Sequence, residues 1–471
     1  MNEYENMKYL LFGTGDYYNR YKKWFESADV VALLDNAVEK QNTVLDNIRV
    51  LSPQEGVKLE YDVIIILSFY VKPMKQQLLE LGVEENKIYH FYDLHKILDI
   101  HRLKKPVQYY GDAKQIIFAP DITKKKILLL SQDMTLGGPA IALYHAAEIL
   151  IQHGYQVVFG SMLDGPLKKI LLDRGISVVV DVNLQLETMK ENEWINHFSL
   201  IFCSTINFYV FLSERDCTIP AVWWLHDSLF FYDGVDKQCL RQMDKTNLTV
   251  LSVGSVPEQA IHTIVPDLSV NWLVYGVEDT ADVHKNLIKY DDRVCFVTIG
   301  YIESRKGQDL LLQAILLLPE EIRKKAVFYF VGQDSSVMAQ QIKHKIQTIP
   351  EVIITGTVNR RQIDEILNKA DVLVCPSRQD PMPTVAAEAM MNSVPCLISD
   401  ATGTAAYLTD GKNGMVFRNE DIKGLSHQLE MCIRQPERLG EMGKKARNVY
   451  EKIFSMRVFE EALIGTVNDL L

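Results

Sequence analysis

With 471 residues the chain is too long for one core, and at roughly 150 residues per domain it holds about three. Apolar residues make up 47% and charged residues 24%, with no low-complexity tract, which excludes long disorder. A net charge of −11 excludes a general nucleic-acid binder, because such proteins gather a surplus of Lys and Arg to release counterions from phosphates; local phosphate sites stay open.

The chain opens MNEYENMKYLLFG, with two acids before an apolar run that leads straight into a strand-like segment, unlike the basic start and cleavable core of a signal peptide. Short β-branched or Leu-rich runs then alternate with helical patterns. In order they are YLLFG, VVALLD, DVIIIL, KILLLS, YQVVFG, LIFCS, AVWWLHD, LTVLSVG, CFVTIG, VFYFVG, VIITG, DVLVCPS and VPCLIS. Continuous rather than alternating apolar runs are the mark of parallel strands covered by helices on both faces, so the fold class is α/β, wound more than once. The longest apolar stretch, VIIILSFYV at 63–71, is about half of the ~20 residues a bilayer span needs, and nothing is expected to cross a membrane by itself.

Residues 106–123 carry prolines, lack a clear period and read as a linker. A second polar, aperiodic break falls at 274–293. These breaks leave α/β units over 1–105, 124–275 and 276–455, with a closing helix over 456–471. The seven cysteines are scattered, odd in number and free of C-x-x-C spacing, so neither a disulfide framework nor a zinc site is signalled, and a reducing cytoplasm fits best.

The first unit opens LLFGTGDYY, a strand followed by Gly13 and Gly15, and Asp35 closes the next strand. This is most of a dinucleotide fingerprint, but Tyr18 stands where the third glycine belongs and its ring would push helix from strand. A degenerate nucleotide site is the reading. The stretch VVALLDNAVEKQNTVLDNIRVLSPQE, then YDVIIILS, resembles the Rossmann-like sensor domains attached to polysaccharide-biosynthesis enzymes.

In the second unit, KILLLSQDMTLGGPAIALYHAAEIL is strand, glycine loop and helix. Gly137 and Gly138 permit close backbone approach, Pro139 suits a first helical position, and the free N–H groups face whatever lies above the strand ends; a tight turn without a ligand fits the same residues. AVWWLHDS places His226 and Asp227 at a strand terminus, where open α/β sheets assemble their sites. His226 suits hydrogen bonding to a substrate or proton transfer.

In the third unit, GYIESRKGQDLLLQAI sets Arg305 and Lys306 just before a helix. Two cations there oppose the macrodipole, a conflict of about 0.3–1 kcal/mol each that a bound anion relieves. In SRQDPMPTVAAEAM, Pro381 and Pro383 end the strand and start a helix whose amides at Met382, Thr384 and Val385 point out of the sheet's carboxyl edge. Glu388, about one turn in, reaches a neutral diol such as a ribose better than a phosphate, and Asp380 accepts from sugar hydroxyls.

An acid, seven residues and a Glu, then Ala-Met and the strand VPCLIS, resembles the donor-site signature of retaining glycosyltransferases with the GT-B fold, in which two Rossmann-like domains face each other. GYIESRKGQDLLLQAI, GTVNRRQIDEILNKADVLVCPS, DPMPTVAAEAM and DGKNGMVF resemble family four in order and spacing over 124–471. The expected architecture is GT-B plus an N-terminal Rossmann-like domain. The resemblance implies that Lys306, assisted by Arg305, holds the donor diphosphate, Glu388 the ribose and Asp380 the transferred sugar. It further implies that His226 lies near that sugar, that the Gly138 loop approaches from the opposite domain and that the last helix crosses back to it. The family's first acid is commonly Glu rather than Asp380, and Tyr301 stands where an Arg is usual, Arg305 being the nearest substitute.

The implied function is metal-independent transfer of a hexose, with retention, from a nucleotide-diphosphate sugar to a glycan, lipid-linked or protein acceptor, in surface polysaccharide or glycoconjugate biosynthesis. No cofactor beyond that substrate is called for. The expected location is cytoplasmic, with peripheral association at the inner face of a membrane and oligomerisation left open. Two other readings remain: an inactive GT-B subunit that scaffolds a partner, and a redox enzyme using the first unit. Phe208, Tyr209, Trp223, Phe230, Phe231 and Tyr232 fit either an apolar platform for a lipid-linked acceptor or plain core packing.

Overall fold

The apolar runs form buried strands in three successive sheets. A computed structural model describes residues 7–119, 123–281 and 292–471. The first sheet holds β1 (Lys8–Phe12), β2 (Asp29–Leu34), β3 (Val44–Leu45), β4 (Ile48–Leu51), β5 (Val63–Ile66) and β6 (Ile88–His90), in the order β3-β4-β2-β1-β5-β6. The second holds β7 (Gln108–Tyr110), β8 (Lys126–Ser131), β9 (Gln156–Ser161), β10 (Ser177–Val180), β11 (Leu200–Ser204), β12 (Ala221–Leu225), β13 (Leu248–Ser252) and β14 (Val270–Trp272). Its order is β14-β13-β12-β11-β8-β9-β10-β7. The third holds β15 (Val294–Ile299), β16 (Ala326–Val331), β17 (Val352–Gly356), β18 (Val372–Cys375), β19 (Cys396–Ser399) and β20 (Met415–Phe417), in the order β17-β16-β15-β18-β19-β20.

Each sheet is wound outward from its first long parallel strand. β1 has β2 on one side and β5 on the other, β8 has β9 and β11, and β15 has β16 and β18, all in parallel register. Strand order reverses beside that strand, so a crevice opens at its carboxyl end. Burial on both faces explains the unbroken apolar runs: every residue of β5, β8 and β11 is buried.

Contacts divide the chain into two units, Met1–Trp223 with Leu229–Thr249 and Ile261–Leu268, and Trp224–Ser228 with Val250–Ala260 and Ser269–Leu471. The first unit contains all of the first sheet and most of the second. Within it the N-terminal domain is fastened to the rest by named contacts. Phe69 meets Phe231 edge-on at 4.7 Å and Phe230 at 6.1 Å. Arg20 pairs with Asp133 at 2.9 Å, Lys96 with Asp236 at 2.7 Å, the Tyr92 hydroxyl donates to Asn207 at 2.6 Å and the Trp24 indole donates to Gln185 at 2.7 Å.

The segment 106–123 is not a linker where it is described. Gln108–Tyr110 adds β7 antiparallel to β10 and closes that edge, and the helix Ala113–Phe118 buries Ala113 and Ile117 completely. The buried Lys126 ammonium donates to the Ile117 carbonyl at 3.1 Å, and Lys105 exchanges two hydrogen bonds with the Asn183 side chain. A three-residue strand is too short to show a period. The second break, at 274–293, lies partly outside the described residues. Strands β3, β4, β6, β7, β10, β14 and β20 are additions to the sequence reading, and none exceeds four residues.

Of the six aromatic residues that fitted an acceptor platform, Phe208, Tyr209, Trp223 and Tyr232 are core residues, each no more than 2% exposed, and Phe230 and Phe231 are engaged by Phe69. Truncating Phe69 removes its packing on Tyr17, Phe230 and Phe231 together. Phe69→Ala is therefore expected to lower stability by about 2 kcal/mol and to broaden or split the calorimetric transition of the first unit; an unchanged thermogram contradicts this packing.

Candidate active site

The third sheet supplies the best-assembled polar site. β15 ends at Gly300, whose φ of 146° only glycine adopts readily, and a Cβ there would lie 3.8 Å from the Lys306 side chain. The short turn Ser304–Lys306 follows, and Gly307, at φ 70°, caps the helix Gln308–Leu317. A Cβ on Gly307 would sit 2.0 Å from the Pro376 carbonyl oxygen, so only glycine lets the loop after β15 lie on the loop after β18. That approach sets the Lys306 ammonium 2.6 Å from the Asp380 carboxylate.

The cations predicted to disfavour the helix start are thus already partnered. Lys306 pairs with Asp380, Arg305 pairs with Glu303 at 2.8 Å and reaches within 3.9 Å of Asp380, and Asp309 occupies the helix's first turn. Lys306 has three donors and spends one on Asp380, leaving two for another anion. Asp380 itself is 5% exposed, its loop tied by Asp380 N–H to Ala401 and by Gly403 N–H to the Asp380 carbonyl.

From β18 the chain runs through Pro381 and Pro383 into the helix Thr384–Met391, with Pro383 as the capping residue rather than inside the first turn. Thr384 and Val385 are half-buried at its start, while Met382 is buried and its carbonyl accepts from the Tyr275 hydroxyl at 2.7 Å. Burial, then the Asp380 and Glu388 charges, push the Tyr275 phenol well above its usual pKa, so it stays a donor. Glu388 is 8% exposed and its Oε1 accepts from the Arg360 guanidinium at 2.5 Å. Lys306 and Asp380 therefore meet beyond β15 and β18, the pair of strands where this sheet reverses its order, and Glu388, on the helix that follows β18, acts with Asp380 on Tyr275.

The reading of the sequence missed Arg360. It opens the helix Arg360–Lys369, where Asn359 and Gln362 form a capping box, so its signal was the one used for Lys306, a cation at a helix start with no reason of its own to be there. Glu388 and Asp364 both take it, at 2.5 and 3.1 Å. Tyr275 carried no signal, because nothing local distinguishes it from a core tyrosine.

His226 follows β12 and belongs to the second unit with Trp224, whose ring lies tilted against it at 4.5 Å between centroids. Trp224 also stacks on Phe459 of the final helix, Met456–Leu470, at 5.8 Å and donates its indole N–H to Leu273. The His226 Nε2 is buried without a protein partner. Burial lowers its pKa from 6.5 to about 3, so the ring is neutral.

Gly137 and Gly138 start the helix Gly138–Gln152 in the first unit, with no side-chain cap and with Pro139 in the first turn. Asp133 pins the loop by accepting from Thr135 N–H and Oγ1 while it pairs with Arg20. At the N-terminus of the chain, Gly13, Gly15 and Asp35 line one cleft of about 280 Å³. Tyr18 does not lie in it; the ring is buried, its hydroxyl bonds Asp46 at 3.0 Å and the helix behind it is only six residues long. Asp35 is spoken for: burial works against its ionisation, and Thr14, the Ala37 amide and Lys40 overcome that and hold its pKa below the usual value. Among the described residues no group of His, Cys, Asp and Glu is arranged to hold a metal ion.

A buried neutral histidine leaves a mark on acid stability. The unfolded chain binds a proton at His226 as pH falls through 6.5, the folded chain not until about 3, so stability falls across that window as pH drops. His226→Gln is expected to flatten the decline in Tm over the same window, checked by pH-dependent thermal unfolding; parallel curves for both proteins would contradict the buried neutral ring.

Comparison with known proteins bears on the fold that carries this site. Residues 279–449 match the model of group 1 glycosyl transferases, residues 123–255 that of glycosyl-transferase family 4, and residues 5–89 a C2185-like N-terminal model. The chain is similar to the D-inositol 3-phosphate glycosyltransferase of Gordonia bronchialis, 22% identical over 226 residues, which cover 46% of this chain and 49% of that one. It is also similar to the lipopolysaccharide glucosyltransferase WaaG of Escherichia coli, 29% identical over 132 residues, 28% and 34% of the two chains. The matches span about half, or less, of these relatives' length. Among solved structures, Anabaena Alr3699/HepE in complex with UDP-glucose superposes with a TM-score of 0.59 at 17% identity, covering 73% of this chain and 99% of that one. The lipopolysaccharide outer core galactosyltransferase WaaB, in its apo form, gives 0.60 at 14% identity, covering 74% and 100%. The chain thus carries a glycosyl-transferase family 4 domain over 123–255 and a group 1 glycosyl transferase domain over 279–449, on a GT-B fold.

Proposed function

We propose that the chain transfers a sugar, with retention and without a metal, from a nucleotide-diphosphate sugar to an acceptor hydroxyl in the synthesis of a surface polysaccharide or glycoconjugate. The observation that carries this reading is the meeting of Lys306, Arg305 and Asp380 where the third sheet reverses order, with the buried Glu388 on the helix that follows β18. A relative whose structure was solved with UDP-glucose shares the fold over most of its length, which supports a donor of that class.

The roles follow from free valences. The Lys306 ammonium keeps two donors for the diphosphate, assisted by Arg305 and by the Thr384 and Val385 amides at a helix start. Glu388 gives one oxygen to Arg360 and keeps the other for the two hydroxyls of a ribose. Asp380, held by Lys306, accepts from hydroxyls of the transferred sugar. His226, neutral, is suited to hydrogen-bond the sugar rather than to carry a proton.

Departure of the diphosphate breaks the anomeric C–O bond and leaves an oxocarbenium-like sugar. The acceptor oxygen attacks from the same face and its proton passes to the departing β-phosphate oxygen, so no protein nucleophile is needed. The protein contributes position and charge. Because negative charge on the leaving oxygen grows as the bond breaks, Lys306 matters more to the transition state than to the bound donor.

Lys306→Ala is accordingly expected to lower turnover on the order of a hundredfold with a smaller change in KM. Nucleotide release from a panel of nucleotide sugars, with the product anomer read by proton NMR, tests the whole reading. An inverted product removes retention, near-normal turnover in the variant removes the role of Lys306, and donor binding without turnover in the folded chain turns the reading to a scaffold subunit.

A further inference from the structure

Within the second unit a cleft of about 390 Å³ lies between the loop around Tyr407, Lys412 and Asn413 and the helix Glu437–Val449 with the turn that follows it. Lys445, Asn448, Val449 and Lys452 line it at spacings of three, four and seven residues, which brings them to one helical face. The cleft has three cations and no carboxylate in its lining.

Neighbouring cations on the same helix are treated differently. Lys444 pairs with Glu441 at 2.6 Å, and Arg447 pairs with Glu451 at 2.8 Å and with Asp279. Lys412, Lys445 and Lys452 are exposed and form no ion pair among the described residues. In a chain of net charge −11, converging three unpaired ammonium groups is a local choice that only an anion relieves.

The same cleft is partly apolar. Tyr407, Val449 and Ile453 share its lining, and Trp272 stands beside Tyr407, edge-on at 6.3 Å between ring centroids, with 43% of its surface exposed. Its indole N–H bonds Glu258 at 2.8 Å, leaving the rest of the ring to the surroundings. A free inorganic anion has no use for an apolar lining and an exposed indole. A phospholipid has use for both, since Lys engages the headgroup phosphate while Trp settles at the headgroup level. Among the described residues no helix is long and apolar enough to cross a membrane, so attachment of this kind would be peripheral.

We propose that the cleft of Lys412, Lys445 and Lys452, with Trp272 beside its Tyr407, docks the protein on the phosphate headgroups of an anionic membrane. The inference goes beyond the transferase reading and uses none of its residues, so either can fail alone.

The test is sedimentation of the full chain with phosphatidylcholine vesicles, with and without phosphatidylglycerol. Binding is expected only to the anionic vesicles and to weaken with salt. At about fivefold per lysine, the triple variant Lys412→Glu, Lys445→Glu, Lys452→Glu should partition on the order of a hundredfold less, and Trp272→Ala should bind less well at unchanged salt sensitivity. An unaltered Tm and donor affinity in the variants shows that they are folded. Equal binding to both vesicle types, or a folded triple variant that binds like the parent, overturns the proposal. So does saturable binding of inorganic phosphate through these lysines without binding to anionic vesicles, which would make the cleft a free-anion site.

Discussion

The site depends on one backbone contact, the loop after β15 lying directly on the loop after β18. Gly307 makes it possible: at its left-handed φ the missing Cβ leaves room for the Pro376 carbonyl. Gly332 does the same one strand away, where a Cβ would lie 2.1 Å from the Gly300 carbonyl oxygen. With these loops in contact, Lys306 and Asp380 meet although 73 residues of chain separate them. The ion pair is a consequence of the backbone approach, and the acid's burial follows from both.

The three sheets repeat one plan with different outcomes. In each, a strand with parallel neighbours on both sides ends in a glycine-bearing loop, at Gly13, Gly137 and Gly300. The third loop sets a lysine, Lys306, against Asp380 from the loop after the neighbouring strand and keeps part of that ammonium free. In the first, Asp16 heads the short helix and Asp35 is turned inward onto Thr14 and Lys40, so the polar groups that would serve a dinucleotide are consumed by the loop itself. A shared topology offers a crevice; side chains decide whether anything is done there.

Much of this was legible in the sequence because its causes are local. Buried parallel strands announce themselves as unbroken apolar runs, which is why β1, β5, β8, β11 and β15 were read correctly. Lys306 and Glu388 stood out as charges in places where a helix gains nothing from them. What stayed hidden depends on distant partners. The strand Gln108–Tyr110 exists because β10 offers an open edge, and the helix after it because Lys126 anchors its end. Arg360 acquires meaning only when Glu388 is seen opposite it. The relief of the conflict between Arg305, Lys306 and the helix macrodipole was credited to a ligand alone, whereas Glu303 and Asp380 supply part of it.

The fastening of the N-terminal domain bears on how this chain can be shortened. Cutting before residue 106 would bare Phe230 and Phe231, remove Tyr92 from Asn207 and Lys96 from Asp236, and leave Asp133, which orders the glycine loop, without its guanidinium. A remnant with the length of an ordinary two-domain transferase would carry a sticky aromatic face and a loosened loop. The first hundred residues are better regarded as one wall of the first unit than as freight attached to it.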